Sequence, residues 1–131
     1  MKLHIGATAA YSKKITDNDI QTFAELTSDR NPLHLDDDFA QTTRFGRRIA
    51  HGMLSTSLIS AVLGNELASE GVIYLSQTVR FIAPVYPDDT VTARATIIKI
   101  REDKPIVTLE TVCVNQHGET LIQGEAVVLL N

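Results

Sequence analysis

The stretch Gly52-Met-Leu-Ser-Thr-Ser-Leu-Ile-Ser-Ala-Val-Leu63 decides the fold. Apolar or small residues stand almost all the way round it, on to about Ala68, and a helix without a polar face belongs at the centre of a domain. The longest uncharged run, Ile49 to Asn65, is too short to cross a bilayer comfortably. It also carries His51, Ser55, Thr56, Ser57, Ser60 and Asn65, so a buried helix is expected and no membrane partner.

Downstream of Gly71 the pattern changes to period two. Four such stretches, near Val72 to Ala83, Thr90 to Arg101, Ile106 to Gln116 and Glu119 to Leu130, are parted by turn-rich segments at Pro84 to Asp89, Glu102 to Pro105 and His117-Gly118. Short connections predict antiparallel neighbours. Upstream, Thr16-Asp17-Asn18-Asp19 resembles a capping box with Asp in place of Glu. Ile20, Phe23, Ala24 and Leu26 follow at helical spacing, predicting a helix over 17–27. Pro32 disfavours helix at Asn31, which predicts an irregular loop from Ser28 to Leu33. A second short helix is expected from the Asp36-Asp37-Asp38 cluster through Phe39 and Ala40, and an extra strand at about Thr8 to Ile15. The sum is an α+β domain in which a curved antiparallel sheet wraps one long central helix.

Length and composition bound the function. The 131 residues suit one domain over 1–131, and 44% hydrophobic with 21% charged residues is ordinary globular composition. A net charge of -4 offers no positive field to a polyanion, so nucleic acid is disfavoured as a partner. Cys113, the single cysteine, excludes an intrachain disulfide and every multi-cysteine metal pattern, and fits a reducing, cytoplasmic setting. The opening MKLHIGATAAY lacks an apolar core long enough for a signal peptide. His4, His117 and the triple aspartate have no recognised metal spacing, so neither metal nor other cofactor is expected.

The densest polar constellation is Ser28-Asp29-Arg30-Asn31-Pro32-Leu33-His34. A proline-stiffened loop can aim a carboxylate and an imidazole at one point, where together they hold and deprotonate a water. From the spacing alone, Asp29 as a loop cap beside a structural, partly buried His34 is the favoured reading. At His51-Gly52-Met53 the chain enters the long helix, whose free N–H groups suit a carbonyl oxygen acquiring negative charge; a plain helix-start glycine is the alternative. Ser60 lies two turns on, placed either to face a pocket with Met53 and Thr56 or to bond back to its own helix. Arg44, Arg47 and Arg48 around Gly46 suit either the phosphates of a nucleotide-bearing carrier or a solvated loop. Cys113 sits in a strand pattern, as a buried small hydrophobe would.

The run Phe23-Ala-Glu-Leu-Thr-Ser-Asp29-Arg-Asn31-Pro32-Leu-His34, followed by Phe39-Ala40 and His51-Gly52-Met53, resembles the MaoC-like, (R)-specific enoyl-CoA hydratase family in its short monofunctional bacterial form. The resemblance extends to the strand meander ending in Gly124-Glu125-Ala126, and so covers essentially the whole chain. It implies a single hot-dog domain, a homodimer, an acyl-CoA thioester near the dimer interface, and a role in fatty-acid metabolism or polyester-precursor supply. Carried over, Asp29 and His34 match the catalytic pair, the Gly52 amide the donor to the thioester oxygen, and Ser60 a helix serine near the pair, with Asn31 supporting the loop. Met53, Leu54, Leu63 and Val128 are then expected either to line the pocket or to belong to the ordinary core. Ser28 departs from the glycine frequent before the aspartate, and serine resists a positive φ. Two other functions fit the same outline: a hot-dog acyl-CoA thioesterase, attacking C1 instead of C3, and a non-catalytic acyl-carrier-binding module. The Asp29-x-Asn31-Pro32-x-His34 pattern favours the hydratase over the first, and retention of both acid–base groups disfavours the second.

Overall fold

The computed structural model describes residues 1–67 and 70–131. Its elements run β1 (Thr8–Lys14), α1 (Asp17–Thr27), α2 (Pro32–Leu35), α3 (Asp37–Gln41), α4 (Gly52–Glu66), β2 (Ile73–Gln77), β3 (Arg80–Phe81), β4 (Thr90–Ile100), β5 (Ile106–Val114) and β6 (Thr120–Leu129). The expected end of the long helix at Ala68 lies outside the described residues. Among the described residues no helix is long and apolar enough to cross a membrane.

One antiparallel sheet in the order β1-β4-β5-β6-β2, with β3 also on β6, curves around α4 as a hot-dog fold does. The strand periodicity explains the contact. Val91, Ala93, Ala95 and Ile97 of β4 and Val107, Leu109 and Cys113 of β5 are all fully buried, facing Leu58, Ile59, Val62 and Leu63 of α4. Two alanines side by side in β4 let the helix sit close to the sheet, where larger residues would hold it off. Removing this much apolar surface from water is the main favourable term in folding the domain.

Two expectations are corrected. The stretch predicted as one strand near Val72 to Ala83 is two, because the chain lifts over Gly124 of β6 at Thr78 and rejoins β6 in the same register at Arg80. There Thr78 N–H donates to the Glu125 carbonyl (2.8 Å), and its Oγ1 accepts from Glu125 N–H (2.9 Å). The interruption requires Gly124, since a Cβ there would lie 1.8 Å from the Thr78 carbonyl oxygen. The short segment from Pro84 to Asp89 therefore makes no hairpin: β3 pairs with β6, while β4 pairs with β1 and β5. The second correction is α2. Pro32 starts a helical turn instead of prolonging the loop, because a proline at the first helical position loses no needed N–H, and the Asn31 side chain caps it by accepting from Leu33 N–H (3.0 Å).

Candidate active site

The site is built where α1, α2 and the start of α4 meet. Thr16 and Asp19 form the reciprocal capping box that starts α1, and Ser28 ends it in the left-handed conformation at φ 67°. That reversal turns the chain into Asp29, whose N–H donates to Thr27 Oγ1 (3.2 Å) and whose Oδ1 accepts from Asn31 N–H (3.2 Å). Asp29 is exposed and His34, one turn into α2, is buried. The His34 Nδ1–H donates to the Ile49 carbonyl (2.8 Å), which fixes the tautomer and leaves Nε2 as an acceptor. Burial pushes the imidazole below the usual histidine pKa; the Ile49 bond opposes this, His51 adds to it, and the Asp29 carboxylate opposes it. His34 is thus held neutral at neutral pH.

Arg48 locks this arrangement from behind. Its Nε donates to Asp37 Oδ1 (2.7 Å) and its Nη1 to Asp17 Oδ1 (2.6 Å) and to the His34 carbonyl (3.2 Å), joining α1, α2 and α3. Both carboxylates raise the pKa of its guanidinium further. Arg48 is therefore neither a free phosphate partner nor a solvated loop residue, because its fork is already occupied by two carboxylates. Arg44 lines the cavity and Arg47 stacks over the Tyr86 ring at 3.9 Å.

A cavity of about 630 Å³ opens at the start of α4, with Asp29, His34, Gly52, Met53 and Arg44 in its wall and Phe81 across from them. Gly52 is the first residue of α4, so its N–H has no partner within the helix. Its lack of a side chain is used: a Cβ would come within 2.5 Å of the Phe81 ring. Asn31 caps α2 beside the cavity without lining it. Ser60 is exposed and outside the cavity of the single chain. Leu54, Leu63 and Val128 belong to the hydrophobic core and not to the cavity wall. Among the four apolar residues expected to line the pocket, only Met53 does.

Sequence reasoning missed the side chain of His51, Ser55 and Phe81. All three line the cavity, and Phe81 carried no signal because only the pairing of β3 with β6 brings its ring against Gly52. The His51 and His34 rings lie 3.9 Å apart between centroids, tilted by 30°. One carboxylate oxygen of Asp29 and one nitrogen from each histidine come within 4.8 Å of one another. In each ring one nitrogen is already bonded to a main-chain carbonyl, His34 to Ile49 and His51 to Asp29. Cys113 is buried in β5 with its thiol pushed up to about 12 by burial, which removes it as a nucleophile.

Comparison with known proteins gives three findings. The family described as MaoC like domain matches residues 5–117. The (R)-specific enoyl-CoA hydratases of Rhodospirillum rubrum and Aeromonas caviae are 47% identical over 125 residues and 48% identical over 128 residues. These alignments cover 95% and 98% of this chain, and 86% and 96% of those relatives. The solved structure of the A. caviae (R)-hydratase, described as involved in PHA biosynthesis, superposes with a TM-score of 0.94 at 47% identity over 98% of each chain.

Proposed function

The chain belongs to the MaoC-like family, and on that premise we propose that Asp29 and His34 are its catalytic pair and the Gly52 amide its oxyanion donor. The activity is that of an (R)-specific enoyl-CoA hydratase, a hydro-lyase that adds water reversibly to trans-2-enoyl-CoA to give (R)-3-hydroxyacyl-CoA. One observation carries the assignment of roles. The Asp29 carboxylate and a ring nitrogen of His34 lie within 4.8 Å of each other in a cavity that also contains the first residue of α4. A water between them gives its oxygen to C3 while His34 Nε2 takes a proton, and a proton from the pair reaches C2 on the same face, so addition is syn. Negative charge builds on the thioester oxygen. The Gly52 N–H and the positive end of α4 stabilise it.

The carrier is an acyl-CoA thioester, with Arg44 and Arg47 as partners for its phosphates. The functional unit is a homodimer. What supports this is β2, a free sheet edge that exposes Ile73, Tyr74 and Leu75, beside exposed Phe81 and Met53 at the cavity. Sedimentation at physiological salt reads the dimer directly, and a strictly monomeric active enzyme contradicts it. A cytoplasmic location is supported by the lone, buried, unpaired Cys113.

Loss of enoyl absorbance with crotonyl-CoA tests the activity. Asp29→Asn and His34→Asn are each expected to lower turnover by about 10²-fold or more while keeping the thermal transition. Near-normal turnover in either variant removes that residue from the mechanism. An (S)-specific 3-hydroxyacyl-CoA dehydrogenase coupled to the assay should form no NADH.

A further inference from the structure

His51 precedes the first residue of α4, where a polar side chain usually caps the helix, yet it makes no cap bond. Its ring turns away. Nε2–H donates instead to the Asp29 carbonyl (3.0 Å), and the ring packs against His34 at 3.9 Å and Phe23 at 4.9 Å. Only 2% of the residue is exposed, and Nδ1 is buried without a hydrogen-bond partner among the described residues. Packing alone does not account for an imidazole here, because a phenyl ring would fill the space and leave no orphaned nitrogen. The other hydrogen bonds of Asp29 go to Thr27, the last residue of α1, and to Asn31 in the same loop. The bond from His51 is the one that ties the aspartate to the start of α4, where Gly52 lies.

Resting on the hydration reading above, we propose that His51 is a positioning residue: it anchors the Asp29 main chain to the start of α4 and supplies the face against which the His34 ring is set. It touches no reacting atom. The charged groups around His34 are Asp29 from the loop, Arg44 in the same cavity wall, and Arg48 at its carbonyl, already paired with Asp17 and Asp37. From α1 the neighbour of the stack is Phe23, which carries no charge. Within this setting His51 disfavours a proton on His34, and Asp29 favours it.

Two variants separate positioning from packing. His51→Phe keeps a stacked ring but loses the donor, and its face favours a cation on His34. Turnover should fall about tenfold with KM within about twofold, since the pair is displaced and the binding cavity is not. The acid limb of the kcat/KM profile should move to higher pH, since the group that disfavours a proton on His34 is gone. His51→Gln keeps a donor for the Asp29 carbonyl without the ring, and should recover much of the turnover while the acid limb stays shifted upward. If His51→Phe lacks a cooperative thermal transition, the Gln variant alone decides by its acid limb. An acid limb at its wild-type position in a folded variant overturns the proposal. Full turnover in Asp29→Asn sinks the hydration roles themselves, a result the His51 variants cannot mimic.

Discussion

Residues 90–129 and residues 15–51 are held by different means. The first are three long strands joined by backbone ladders with two register shifts, and their inner faces carry almost nothing but aliphatic side chains. The second contain three short helices and two loops, and nearly every change of direction is fastened by a side chain. Thr16 and Asp19 start α1, Thr27 and Asp29 hold the loop, Asn31 and Asp36 cap α2 and α3, and Arg48 ties the three helices together. Backbone ladders tolerate changes in the side chains that decorate them. A scaffold made of single side-chain bonds does not, but it can hold a carboxylate and an imidazole at a chosen separation, which a sheet face rarely does.

The comparison can be broken first at the one place where the sheet depends on a particular residue. Gly124→Ala puts a methyl group against the Thr78 carbonyl oxygen, a backbone atom that cannot swing aside. A loss of about 3 kcal/mol or more is expected in urea unfolding, the scale of overpacking a tight site. An unchanged midpoint would mean that the contact between Thr78 and Gly124 is looser than its geometry.

On the other side, Arg48→Met leaves Asp17, Asp37 and the His34 carbonyl without their shared donor. Both carboxylates are more than half exposed, so screening discounts the ion pairs, and a loss of about 1–2 kcal/mol is expected. Turnover should fall several-fold as well, and it is this second effect that distinguishes the braced region from the sheet. A stability loss with full turnover argues that the brace is only structural.

The smallest expected effect is a gain. Ser28 at φ 67° sits where a side chain costs about 1–2 kcal/mol, and glycine relieves that while giving back about 0.5–1 kcal/mol to the unfolded chain. Ser28→Gly should raise stability by about 0.5 kcal/mol in the same urea titration, with turnover unchanged. Destabilisation would show that the Ser28 side chain has work in the loop.

What could be read in advance follows the range of the interactions. Helix α1 has the bounds its capping box announced, and the start of α4 and the three long strands agree within two residues, because capping and period-two patterns are local signals. The turn at Pro32 was legible in principle: Asn followed by Pro marks a helix start as well as a stop, and only the second meaning was used. The break at Thr78 was not legible, since it depends on Gly124, some forty-six residues away. The same holds for the site. Asp29 and His34 share a loop and were found together, whereas Arg48 was misjudged because its partners lie on three other elements. Leu54, Leu63 and Val128 are chemically indistinguishable from pocket residues and differ only in which side of the wall they occupy.

Cys113 has a use unrelated to catalysis. Its sulfur rests against the Ser55 carbonyl at 3.8 Å, under the central helix, and burial keeps the thiol protonated. A thiol reagent can reach it only when the sheet lifts from α4. Because the chain has no second cysteine, each modified molecule carries one adduct, and the mass spectrum separates molecules that have opened from those that have not. The labelling rate then measures how often the core opens at the helix–sheet seam under native conditions, independently of the enzyme's activity.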